Sequence, residues 1–310
     1  MTTTATTRTI RPSARQGIAA QERRFKISFL LPALIVSLAL VAFPIVYTLY
    51  MSTTTWSGTA FNPPRFTGLE NMRALFEPGS RFLGAAGRTV LFTAVTVVVE
   101  VVLGYVVALA LRKPFRGDGI VRTVTLIPVV LTPVAVAMAW MLILDPSIGL
   151  APRLFEVVGI EGHQFLSDPS AALGWLMVID IWQWTPMMVL ILLAGLTALP
   201  EEPFEAAEVD GASLLQRFTH ITFPLMLPVM FSAIMLRLVD SLKTFDIIYA
   251  TTKGGPGFST ETLNTYAFVQ AFEYTNFGSS ASIVVGFILI VVAITASLAI
   301  VQNRAESILR

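Results

Sequence analysis

The sequence contains no cysteine and only two histidines, His163 and His220. Disulfides, thiolate metal sites and cysteine nucleophiles are excluded, and a multi-histidine metal centre has no ligands to draw on. No Gly-Lys dipeptide occurs, so the chain has no phosphate-binding loop of the Walker type. If ATP drives this protein, another chain hydrolyses it. Charge is scarce too, at 13% of residues with a net of +1. A soluble domain carries about 25%, and nucleic-acid binding finds no basic surface here. What fills the sequence instead is apolar: 55% of 310 residues are hydrophobic and the mean hydropathy is +0.72. That composition predicts an integral membrane protein, one that lives in the lipid bilayer.

Six apolar runs are long enough, at about 20 residues, to cross the hydrocarbon as helices. They cover approximately residues 27–50, 89–111, 123–144, 171–197, 223–247 and 279–301. The first is too long for the apolar core of a signal peptide, and no small-residue cleavage site follows it. Residues 1–28, threonine-rich and basic, predict an unstructured cytosolic tail; 29–301 form the membrane domain; 302–310 form a second tail. An even number of spans places both termini on one side. The tails and the loops at 112–122 and 200–222 hold thirteen Arg and Lys, against six in the loops at 51–88, 145–170 and 248–278. The positive-inside bias puts the termini in the cytoplasm.

Between the fourth and fifth spans lies a polar island, Glu201 to Pro228, with five of the twenty acidic residues. Pro203 suits a first helical turn, where its missing N–H is no loss. Glu201, Glu202 and Glu205 place negative charge at the positive end of a helix dipole. Gly211 suits the stop, and Ser213 with Gln216 has capping-box spacing for a second short helix. The order Glu205-Ala206-Ala207, Asp210-Gly211-Ala212, then Phe218, Ile221, Pro224 and Pro228 resembles the EAA motif of binding-protein-dependent ABC importer permeases. That resemblance implies an all-α membrane protein with six transmembrane helices, the type I ABC importer permease fold, in which this loop is the cytoplasmic coupling helix seated in a groove of the ATP-binding subunit. Glu205, Ala206, Ala207, Asp210, Gly211 and Ala212 are then the ATPase-coupling residues, with Phe218, Ile221, Pro224 and Pro228 fixing the loop to the fifth span.

Two further stretches resemble the sugar-permease branch of that family. Phe66-Thr67-Gly68-Leu69-Glu70-Asn71-Met72 follows the first span. Thr252-Lys253-Gly254-Gly255-Pro256-Gly257 comes before Thr262 to Tyr266, Ala271-Phe272 and a small-residue start to the last span. The resemblance implies a sugar, polyol or glycerol phosphate as solute, and a loop at Gly254, Gly255, Pro256 and Gly257 that faces an extracytoplasmic solute-binding protein. It also implies a dimer of ATP-binding subunits, and a second, related permease chain as partner. Cofactors are not expected, and no chemistry is done on the solute. An amino-acid or peptide permease, an ion-coupled carrier and a membrane enzyme are the alternatives. The Gly-Gly-Pro-Gly loop, the polar island without repeated halves, and the lack of any nucleophile–base pair argue against them in turn.

Ionisable groups inside spans cost about 2.5–3.5 kcal/mol each on insertion scales and are usually paired or cavity-facing. Arg237, Asp240 and Lys243, three apart, are expected to pair along the fifth span. Glu100 is expected to face another helix. Asp180, Trp182, Gln183 and Trp184 combine hydroxyl partners with flat apolar faces, as carbohydrate pockets require; with Asp240 and Lys243 they are the candidate substrate path. Arg237 and Lys243 are the spans' cations, which weighs against a strongly anionic solute.

Overall fold

The computed structural model describes residues 12–58, 63–113, 115–159 and 164–309, with side chains from residue 27 to 304. Residues 1–11, including the start of the expected tail, lie outside the described ones. Two compact units divide the chain, residues 1–50 and 51–310. The first unit holds most of α1 (Pro12–Ser52). The helix starts at Pro12, so the expected tail is helical from there rather than from Ile27. From Ile27 to Tyr50 α1 is apolar on every side and almost wholly exposed, as a helix surrounded by hydrocarbon is.

In the second unit a two-residue ladder comes first, with β1 (Thr54–Thr55) antiparallel to β2 (Arg65–Phe66). Asn71, in the short helix α2 (Glu70–Ala74), clamps this turn by donating to the carbonyls of Ser52 at 3.1 Å and Thr54 at 2.8 Å. Gly68, at φ +64°, supplies the turn that leads from β2 into α2. The span α3 (Phe82–Leu111) follows.

The third span is not the single helix expected over 123–144. It is a broken pair, α4 (Asp118–Val130) and α5 (Pro133–Ile143), bent by 97°. Pro133 is the cause. It lacks the N–H that would continue the ladder, and its ring pushes Thr132 into extended geometry (ψ 140°). The carbonyl of Leu131 freed at the break accepts a hydrogen bond from Gln183 Nε2 at 3.3 Å. Inside a bilayer such a partner is required, because water is not there to supply one.

The short helix α6 (Leu150–Val157) leads to the fourth span, α7 (Ala172–Thr197). Then come two short polar helices, α8 (Glu202–Val209) and α9 (Leu214–Arg217). A widened π turn at Phe218–Thr222 enters α10 (Phe223–Leu242), where Pro224 cannot donate to the carbonyl four residues back. The fifth span stops at Leu242, short of the expected residue 247, and α11 (Asp246–Thr251) resumes after a three-residue break. Helix α12 (Leu263–Phe268), a second π turn and the last span α13 (Phe277–Leu309) complete the chain.

Helices α3, α7 and α10 make the core of this unit. Gly104 permits the close α3–α7 approach: a Cβ there would stand 2.7 Å from Met188 Cβ. Val97, Val101 and Ala108 of α3 meet Leu192 and Leu196 of α7 and Met226 of α10. Small residues at a helix seam let backbones approach where lipid offers no hydrophobic driving force.

Candidate functional site

Three helices each carry one ionisable residue into this core, and the three meet. Arg237 of α10 forks onto Glu100 of α3, Nε to Oε2 at 2.7 Å and Nη2 to Oε1 at 3.0 Å. Its Nη2 also donates to Asp180 Oδ2 of α7. All three are at most 1% exposed. A buried bidentate fork of this kind offsets desolvation only with such geometry. The pairing expected along α10 is therefore corrected: Arg237 turns inward to two other helices, and only Asp240 and Lys243 pair with each other, at 3.5 Å and about half exposed. The expectation for Glu100 matches what is found.

The outer edge of this cluster opens into a cavity of about 290 Å³, lined by Asp180, Trp184, Arg237, Asp240 and Lys243, with Pro133, Phe245 and Asp246 among the other residues of its wall. The Trp184 ring lies 5.1 Å from the Arg237 guanidinium. The Pro133 break brings α5 to this wall. Of the six candidate substrate-path residues, four are together here. Trp182 is not: it lines a separate apolar groove with Val99, Leu103 and Val124, and meets Trp140 edge-on at 5.6 Å. Gln183 is buried on the Leu131 carbonyl. On a helix, neighbours in sequence diverge by about 100°, so the quartet could not share one face.

The polar island folds as its local chemistry predicts. Pro203 sits in the first turn of α8 with Glu202 and Glu205. Gly211 stops it at φ +71°, and Ser213 and Gln216 complete a capping box on α9. The two helices are tied by Arg217, which reaches Glu208 at 3.4 Å and the Ala212 carbonyl at 3.1 Å. Glu205, Ala206, Asp210 and Gly211 face solvent, with Ala207 and Ala212 partly covered. The loop also presents Val209, Leu214 and Leu215, all at least 71% exposed. Its anchors are aromatic: Arg112 stacks over Phe204 at 5.0 Å, and Phe218 packs 6.0 Å from Tyr105 of α3.

At the other end of the molecule, Gly254, Gly255, Pro256 and Gly257 form a tight loop. Thr260 Oγ1 donates to the Gly255 carbonyl at 2.7 Å, and Gly254 lies at φ +89°. The sequence reading missed what holds it. Glu261 is 2% exposed; Arg81 pairs with its carboxylate at 3.3 Å and Arg88 donates to its carbonyl at 2.8 Å. Burial pushes the Glu261 carboxyl above its ordinary range, while Arg81 and Arg88 pull it back. The Arg81 guanidinium lies between Phe258, at 4.2 Å, and Tyr266, at 4.6 Å. Two arginines opening α3 were the available signal. Among the described residues, no cluster of His, Asp and Glu has the arrangement of a metal site.

Residues 100–307 match the family described as the binding-protein-dependent transport system inner membrane component. The trehalose/maltose transport system permease protein MalF of Thermococcus litoralis is 36% identical over 275 residues, covering 86% of this chain and 91% of that one. The sn-glycerol-3-phosphate transport system permease protein UgpA of Agrobacterium fabrum is 32% identical over 266 residues, covering 86% and 90%. Among solved structures, a chain of a bacterial ABC transporter involved in the import of the acidic polysaccharide alginate superposes with a TM-score of 0.79 at 20% identity, covering 94% of this chain and 99% of that one, a likeness of fold. With its spans, its loop between α7 and α10 and these matches together, the chain belongs to the family of binding-protein-dependent transport system inner membrane components.

Proposed function

We propose that this chain is the transmembrane permease subunit of an ATP-binding-cassette importer carrying a sugar or sugar-like solute across the cytoplasmic membrane. The observation that carries the reading is the exposed α8–Gly211–α9 unit, held between two spans by Arg112–Phe204 and Phe218–Tyr105 contacts. A loop that transmits force needs anchored ends and an exposed face, and this one has both. Its acidic and small residues, from Glu205 to Ala212, dock into a groove of an ATP-binding subunit, with Val209, Leu214 and Leu215 as the apolar contact. The charge bias between the two sets of loops puts that unit and both termini in the cytoplasm.

Two ATP-binding subunits supply two grooves, and a second, related permease occupies the other. The loop around Gly254 to Gly257, stapled through Glu261 to the start of α3, receives a solute-binding protein on the opposite side. Solute passes by the cavity beside Asp180 and Trp184. The sugar class is supported by the names of the relatives and by a cavity that pairs an aromatic face with hydrogen-bonding groups. ATP closure of the partner subunits pulls on α8 and α9, and α7 and α10 move with them.

Uptake of a labelled sugar by cells that depend on this chain tests the reading. Transport that stops on ATP depletion and survives an uncoupler supports it. Transport that follows the proton gradient instead contradicts it and favours an ion-coupled carrier.

A further inference from the structure

We infer that a row of aromatic rings along α11 and α12 is a stacking track for saccharides of two or more rings, leading from a pocket at Trp56 to the cavity beside Trp184. The inference rests on the permease reading and adds to it a second site and a dependence on saccharide length.

Helical spacing builds the row. Phe245 and Tyr249, four apart across the start of α11, present their rings on one face and stack at 5.1 Å. Phe268 ends α12, and Phe272 follows it in the second π turn, Val269–Glu273; their rings stand 4.8 Å apart. Asn264 of α12 donates to the Lys243 carbonyl, just past α10, at 2.8 Å, which holds α12 beside the start of α11. Phe268 lies 4.8 Å from both Phe245 and Tyr249. Beyond Phe272 the row continues with Phe277, at 6.3 Å, and then Trp56, at a further 5.5 Å.

Both ends of the row open into cavities. Phe245 belongs to the wall of the cavity beside Trp184. Trp56 belongs to the wall of another, of about 510 Å³, with Arg65, Tyr274 and Asn276. That volume is within the range of ordinary ligand pockets, about 300–1,000 Å³. The inner cavity, about 290 Å³, is at the bottom of the range, so a solute larger than it extends over Phe245 and onto the row.

Hydrocarbon does not cover these rings. Asp246 and Glu273 are exposed beside them, Tyr249 donates to Glu273 at 3.1 Å, and carboxylates facing lipid are costly. Phe272 is 65% exposed, and the other five rings are half-buried. Flat apolar faces flanked by carboxylate acceptors match a pyranose ring, which has a C–H face and a rim of hydroxyl donors.

Glucose, maltose and maltotriose are the probes, measured by equilibrium dialysis against the assembled importer in nanodiscs without its solute-binding protein. Affinity should rise about threefold or more with each added ring, since each meets a further aromatic face. Phe272→Leu keeps apolar bulk but removes the flat face; it should weaken maltotriose about fivefold and glucose less than about twofold. Phe272→Tyr keeps the ring and should bind all three as the wild type does. Tyr249→Leu and Tyr249→Phe repeat the comparison at a second ring, and they decide the matter if Phe272→Leu fails to assemble. Affinity that ignores length, no binding of any probe, or leucine variants that bind maltotriose like the wild type overturn the inference. Loss of the second permease from Phe272→Leu with sugar binding unchanged also overturns it, and makes the row a seam between permeases. If ATP-dependent, uncoupler-resistant sugar uptake persists alongside such a result, the track falls and the permease reading stands. Uptake that follows the proton gradient brings down both.

Discussion

Two charged regions of this chain, the 200–222 loop and the Glu100–Asp180–Arg237 cluster, obey opposite rules. In the loop the charges are exposed and their bonds are local: Ser213 with Gln216, Arg217 with Glu208. In the core the charges are buried and their bonds join residues 57 and 137 positions apart. Water decides the difference. A solvated carboxylate needs no partner and contributes little when it has one. A carboxylate under hydrocarbon must find a cation wherever the helices bring one.

Breaking each region should therefore cost very different amounts. The largest effect belongs to Arg237→Met, which leaves Glu100 and Asp180 buried together without a cation. Loss of about 3–5 kcal/mol is expected, read as a collapse of thermal stability in detergent. Adding Glu100→Gln and Asp180→Asn to the same chain should recover most of it, since uncharged groups need no cation. A triple variant no more stable than Arg237→Met would show that the cluster holds the helices by some means other than charge compensation. The smaller effect belongs to Ser213→Ala. It removes the cap of α9 at a cost of about 1 kcal/mol, with a shift of a few degrees in the melting midpoint and no loss of insertion. A loss as large as that of Arg237→Met would erase the contrast between the regions.

The same contrast explains what was legible. The two short helices, the Gly211 stop and the capping box are set by residues within four positions of each other, so the sequence specifies them directly. The six apolar stretches were equally readable from length. The break at Thr132–Pro133 was only half legible: Pro133 stands in plain view within the apolar run, yet whether proline kinks a span or divides it depends on a partner for the freed carbonyl. Gln183 of another helix is that partner. Arg237 was misassigned for the same reason. Its spacing to Asp240 favoured pairing along one helix, whereas its true partners lie on α3 and α7. A signal existed in depth. Counted from the ends that meet the 112–122 and 200–222 loops, Glu100, Asp180 and Arg237 stand at about 17, 26 and 21 Å at 1.5 Å per residue, near enough for long side chains to meet. Trp182 was grouped with Trp184 by proximity in sequence, but helical rotation sends it to a different surface.

Function follows from placing these regions together. The solvated loop is anchored to α3 by Arg112 and Tyr105, and α3 is bonded to α7 and α10 by Arg237. On the proposed coupling role, it is through these contacts that force applied at α8 reaches the cavity wall.

Co-purification tests the central claim most directly. The tagged chain, extracted in mild detergent from its native host, should bring down an ATP-binding subunit and a second permease. Glu205→Lys, which is exposed and leaves the fold intact, should lose the ATP-binding subunit by about tenfold or more, as like-charge contacts at an interface do, while keeping the permease partner. Elution of the wild-type chain alone, or retention of the ATP-binding subunit unchanged in Glu205→Lys, would contradict the account.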